Sequence, residues 1–158
     1  MASRLPAFPR FVFTVFEPIS LVAGSVAAVF SPEWFISQQI DQAGTHRVPS
    51  TDSNLLVAQQ LGNCYLLAFL VALGVLYTTT ELAVVRNYLK ALWIADITHV
   101  ALTFYALGYE RSAAVANWNA TTWGNIGITV FLCMTRTMYL LGVFGPNKPP
   151  PATRGKTQ

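Results

Sequence analysis

The feature that most constrains this chain is a series of apolar runs long enough to cross a lipid bilayer. A hydrocarbon core about 30 Å thick takes roughly 20 helical residues. Stretches at about 8–30, 55–77, 84–107 and 121–143 reach that length. In hydrocarbon, backbone N–H and C=O groups find no water, so a lone apolar segment must satisfy them within itself, as a helix. The reading is an all-α integral membrane bundle of four transmembrane helices. Composition agrees: 53% of residues are hydrophobic and 11% charged, against about 25% charged in soluble domains.

Between the first two runs lies "SPEWFISQQIDQAGTHRVPSTDSN". Pro32, Trp34 and Phe35 suggest a short interfacial helix that ends before Gly44, with the aromatic rings at headgroup level. The connection around "TTTELAVVRN" makes a tight helical hairpin, and "GYERSAAVANWNATTW" forms a polar, aromatic third loop. Residues 1–145 form the membrane domain. The tail at 146–158, "PNKPPPATRGKTQ" after Gly145, is too rich in proline and charge to bury a core. The first run exceeds the 7–15 residues of a signal-peptide core and contains Glu17-Pro18, so it reads as a retained helix.

Orientation follows from the basic residues. Arg4, Arg10, Arg86, Lys90, Lys148, Arg154 and Lys156, seven in all, fall with the termini and second loop, against two, Arg47 and Arg111, on the other side. The positive-inside rule then puts both termini in the cytosol, and the endoplasmic reticulum is the expected membrane. Asn119-Ala120-Thr121 becomes a lumenal glycosylation sequon, so close to the fourth helix that little or no glycan is expected. The charge of +3 suits a membrane surface; nothing reads as a nucleic-acid module. Cys64 and Cys133 form no metal-ligand spacing, and no metal or cofactor is expected.

Why would "LWIADITHVALTFYAL", Leu92 to Leu107, carry Asp96 and His99? Leu92, Asp96, His99 and Thr103 recur at three- and four-residue steps and share one helical face. Thr122, Asn125, Thr129, Cys133 and Arg136 do the same on the fourth run, and Gln59 and Asn63 lie one turn apart on the second. Glu17 falls near mid-membrane. A charged group facing lipid near the bilayer centre costs at least about 2.5–3.5 kcal/mol, so such stripes are expected to face other helices or a wet cavity.

Two carboxyls in a low-dielectric pocket suggest an acid/base pair. Glu17 and Asp96 are the catalytic candidates, with His99 as partner or proton relay. Asn63 and Asn125 would orient a substrate by hydrogen bonds, Trp93 and Trp123 would form apolar or cation-stabilising walls, and Arg136 or His99 would hold one carboxylate ionised. Each has a plainer reading. Glu17 could shape a kink at Pro18; Asp96 could pair structurally with Arg136, or Arg136 could snorkel to the cytosol; Asn63 could be interhelical glue.

The segments "FEPISLVAG…SPEWFISQQ", "QLGNCYLL" and "VVRNYLKALWIADITH" resemble a family of small four-helix membrane proteins of filamentous fungi, over about Phe8 to Gly145. This type is similar to the epoxide hydrolases of polyene α-pyrone biosynthesis, as in the aurovertin and citreoviridin pathways. The resemblance implies cofactor-independent opening of epoxides on a lipophilic polyketide, by water or an internal hydroxyl, with roles for Glu17, Asn63, Asp96 and His99. Membrane terpene cyclases and sterol isomerases offer looser analogies. No GxSxG nucleophile elbow is present.

Three readings result: an intramembrane epoxide-opening enzyme acting on a lipophilic small molecule, a non-catalytic protein that binds lipid or a partner, and a proton-coupled carrier. The oligomeric state is not readable from the sequence.

Overall fold

The computed structural model describes residues 4–40 and 51–149. Asp41, Gly44, Arg47 and residues 150–158, on which parts of the loop, charge and tail readings rest, lie outside the described residues. The described chain is helical: α1 (Ala7–Phe30), the short α2 (Pro32–Ser37), α3 (Asp52–Thr78), α4 (Leu82–Ala113), and α5 at 120–140. Helices α1, α3 and α4 are each long and apolar enough to cross a membrane. Helix α5 has the length, but its threonines, Asn125 and Arg136 dilute its apolar character.

The helix ends show where local chemistry departs from hydropathy. Thr51 caps α3, its hydroxyl accepting from the Asn54 amide at 3.3 Å, so α3 starts ahead of its apolar run. Helix α4 continues to Ala113, well beyond residue 107, into what reads as the third loop. Gly108 (φ 76°, ψ 165°) kinks it, a conformation that a Cβ would resist. Helix α5 ends at 140 rather than 143. Gly142 adopts φ 79° and its amide donates to the Tyr139 carbonyl while the Val143 amide donates to that of Met138, both at 3.0 Å. This paired arrangement is the Schellman stop.

Helix α1 is not uniform. Val12–Phe16 widens into a π-turn just ahead of Pro18. Pro18 has no N–H to give the Thr14 carbonyl one turn earlier. The Tyr77 hydroxyl of α3 donates to that carbonyl at 2.8 Å instead. The freed acceptor thus becomes a link between α1 and α3.

Packing pairs α1 with α3 most extensively, and α4 with α5. The α1–α3 seam is close because Gly62 and Ala58 carry little side chain: a Cβ on Gly62 would meet Val29 Cγ2 at 2.6 Å and Ala28 Cβ at 3.0 Å. One apolar cluster gathers Val12, Phe13, Leu76, Leu89, Leu132 and Tyr139; a second, at the opposite end, gathers Ala28, Phe35 and Ala58. At the first end the chain is clasped. The Lys148 amide donates to the Arg4 carbonyl at 2.8 Å, Arg4 Nε returns a bond to the Lys148 carbonyl at 3.1 Å, and Arg4 Nη1 reaches the Thr80 carbonyl at 3.2 Å. Both ends of the described chain and the turn around Thr80 therefore share one end of the bundle. The first residues after Gly145, read from sequence as the start of a disordered tail, are held there.

Candidate functional site

Three ionisable side chains meet between the two clusters. Glu17 follows the π-turn of α1, Asp96 lies midway along α4, and Arg136 lies in the second half of α5. Arg136 donates from Nη1 to Asp96 Oδ2 and from Nη2 to Glu17 Oε1. Arg136 is 0% exposed, Glu17 6% and Asp96 9%. The guanidinium also lies over the Phe13 ring, 5.4 Å from its centroid. A buried charge is tolerated only when paired and hydrogen-bonded, and the arrangement meets that condition for the two terminal nitrogens. Arg136 Nε has no partner among the described residues.

Arg136 does not snorkel to either end. The one-residue advance of the π-turn rotates Glu17 relative to the residues before it, and three helices converge on one planar fork whose donors match two carboxylates. Both ionised carboxylates and the guanidinium sum to −1; with one proton shared, they sum to zero. The group ties three helices together.

His99 lies one turn along α4 from Asp96, yet donates to neither carboxylate. It lines a cleft of about 390 Å³ with Tyr65, Asn125, Thr103 and Gln39, against apolar walls such as Leu61 and Leu102. Asn125 Nδ2 donates to Gln39 Oε1 at 3.0 Å across this cleft, and Asn119 Nδ2 donates to the Gln38 carbonyl at 2.9 Å beside it. The Thr103 hydroxyl donates to the His99 carbonyl at 2.8 Å. Neither the His99 ring nor the Tyr65 hydroxyl is hydrogen-bonded among the described residues. Asparagine and histidine in this cleft thus offer both donors and acceptors.

The structure therefore separates residues that the sequence reading places together. Glu17, Asp96 and Arg136 form one cluster; His99 and Asn125 belong to the cleft. Trp93 Nε1 donates to Thr137 Oγ1 at 2.9 Å, tying α4 to α5. Trp123 is 49% exposed and stacks edge-on against Trp118, with ring centroids 5.0 Å apart. Asn63 is exposed, on the face of α3 opposite Ala58 and Gly62, so it orients nothing in either site. Gln39 was not foreseen because it follows α2, where no periodicity marks a face.

The family described as a domain of unknown function (DUF7704) matches residues 2–146. The chain belongs to this family. The DUF7704 match spans the whole helical bundle, including the three-residue cluster and the cleft. No curated protein and no solved structure matches the chain.

Proposed function

We propose that this DUF7704 protein is a multi-pass membrane protein, with four spans and cytosolic termini in the endoplasmic reticulum, that takes a lipophilic small molecule into the His99 cleft. The observation that carries this reading is the cleft itself. Its walls are mostly apolar, and a few uncharged polar groups converge at one place, the usual make-up of a small-molecule site. Tyr65, His99 and Asn125 hold the ligand's polar end, while the apolar remainder lies along Leu61, Leu102 and Leu107. None of the described lining residues is Asp, Glu, Lys or Arg. An ionised headgroup would therefore lose its hydration without gaining a counter-charge. The favoured ligand has a hydroxyl or carbonyl head.

The test is photo-crosslinking in microsomes, using diazirine-bearing lipophiles with alcohol, ketone, carboxylate or quaternary ammonium heads. Labelling of cleft peptides by the first two, lowered by Tyr65→Phe together with His99→Leu, supports the proposal. Labelling of other surfaces alone, or equal labelling by all heads, refutes it.

A second reading, epoxide opening, is favoured by the convergence of Glu17 and Asp96 on one guanidinium. A carboxylic acid gives its proton to the epoxide oxygen as the C–O bond breaks. Water or an internal hydroxyl attacks the carbon, and its proton returns to a carboxylate, so the group ends as it began. A substrate in the cleft would lie one turn from Asp96, with His99 between as relay. Microsomes with the wild-type chain or Asp96→Asn, given an epoxidised polyene pyrone, decide by mass spectrometry. Hydrated or isomerised product from the wild type alone supports catalysis; none from either excludes it for that substrate.

A further inference from the structure

The outward face of α3 carries polar side chains where an apolar face is needed. Its buried residues are Ala58, Gly62, Ala72 and Leu76. Asn63 and Gln59 point roughly 100–140° away from that line, at 100° per residue. Both are exposed, as is Gln60, and none of the three side chains is hydrogen-bonded among the described residues. Leu56, Leu67 and Leu70, which share the face, are 55%, 59% and 53% exposed.

Depth makes Asn63 unusual. It is the twelfth of the 27 residues of α3, about 16 Å from the start of a helix about 40 Å long. Centred on a hydrocarbon core about 30 Å thick, the helix holds Asn63 about 11 Å inside the boundary and Gln59 about 5 Å inside. A carboxamide that deep cannot reach water. Nor does it do what Thr98 does on the outward side of α4, whose hydroxyl turns back to the Ile94 and Ala95 carbonyls at 3.2 and 3.0 Å.

We infer that two copies of this chain pack through the outward faces of α3, with the Asn63 carboxamides hydrogen-bonded to each other across a two-fold axis. The inference rests on α3 crossing the membrane and is independent of the cleft and its ligand. A carboxamide carries a positive N–H edge and a negative C=O edge, so it is complementary to a second carboxamide. Two copies inserted in the same sense present parallel α3 helices, and a two-fold axis along the membrane normal brings each residue to its own counterpart at equal depth. Asn63 meets Asn63, and Gln59 meets Gln59 one turn away. Leu56, Leu67 and Leu70 pack around them, and the amides leave the lipid.

The experiment is oxidative cross-linking of the full chain in native membranes, in a background in which Cys64 and Cys133 are replaced by serine. A disulfide forms only when Cα atoms come within about 7 Å. Leu67→Cys and Leu56→Cys are expected to give covalent dimers, whereas Ile97→Cys, on the exposed side of α4, gives none. Adding Asn63→Leu to Leu67→Cys should lower the dimer roughly three- to thirtyfold, the range spanned by interhelical polar pairs in membranes, while Asn63→Gln retains it. Asn63→Leu suits a lipid-facing site, so an unchanged helical circular-dichroism spectrum and melting temperature in detergent confirm that the fold of each copy persists. Equal cross-linking at Ile97→Cys, no dimer at either leucine position, adducts only with other proteins, or indifference to Asn63→Leu would each overturn the inference.

Discussion

Arg136 joins residues from opposite ends of the chain: its Nη2 meets Glu17, 119 positions earlier, and its Nη1 meets Asp96, 40 positions earlier. The charges are unequal, two acids to one base. That imbalance makes the three side chains respond differently to replacement.

Arg136→Met removes the only cation and leaves two buried carboxyls facing each other. Breaking a buried pair from one side costs about 3–5 kcal/mol. Asp96→Asn instead leaves a balanced Glu17–Arg136 pair and should cost far less. Thermal denaturation of detergent-solubilised protein, followed by size-exclusion chromatography, should rank Arg136→Met well below Asp96→Asn. Equal losses would show that charge balance does not govern the cluster.

Tyr77→Phe deletes the donor to the Thr14 carbonyl and should destabilise the bundle by about 0.5–1.5 kcal/mol. Pro18→Ala gives that carbonyl a donor within α1 again. In the double variant the Tyr77→Phe penalty should shrink, and a double-mutant cycle measures the difference. Strict additivity would mean that Tyr77 acts by packing alone.

Gly62→Ala forces a methyl into Val29 and Ala28, and overpacking of this kind costs about 1–3 kcal/mol. Gly74, on the same helix, has nothing within 4 Å of an added Cβ. Gly74→Ala should therefore leave the melting temperature unchanged or raise it, because alanine favours helix over glycine. The two variants, differing only in position, test the seam directly.

Asn119 is doubly engaged: Oδ1 accepts from the Thr122 amide at 2.8 Å while Nδ2 donates to the Gln38 carbonyl. A glycan would replace one Nδ2 hydrogen and would have to fit beside the Gln38 carbonyl that the other one reaches. The sequon should remain unmodified, so glycosidase treatment should not shift the protein on a gel. Asn119→Ala, which removes the cap of α5, should cost about 0.5–2 kcal/mol in the same melting assay.

The helical architecture was legible because apolar runs and backbone hydrogen bonding in lipid leave few alternatives. Asp96 and Arg136 were legible too, as members of polar faces with helical spacing. Glu17 was readable at the same mid-membrane depth; the π-turn just ahead of it was not, because hydropathy does not encode one. Asn63 misled. A polar residue in an apolar run is reasonably assigned to the interior, but the close Ala58–Gly62 seam decides which side of α3 is inward, and Asn63 falls on the other. Gln39 depends on where α2 directs the chain, a tertiary matter. The extension of α4 past Gly108 was hidden by a glycine that kinks the helix rather than ending it.

The tie at the bundle's centre also has a schedule. Arg136 is synthesised 119 residues after Glu17, an interval of roughly 6–24 s at 5–20 residues per second. Until then the nascent first helix carries an acid whose counterpart does not exist. Asp96 arrives in between and adds a second. A chain that stops between residues 97 and 135 holds both acids and lacks the one side chain that pairs them, so the bundle's centre is completed only by its last helix.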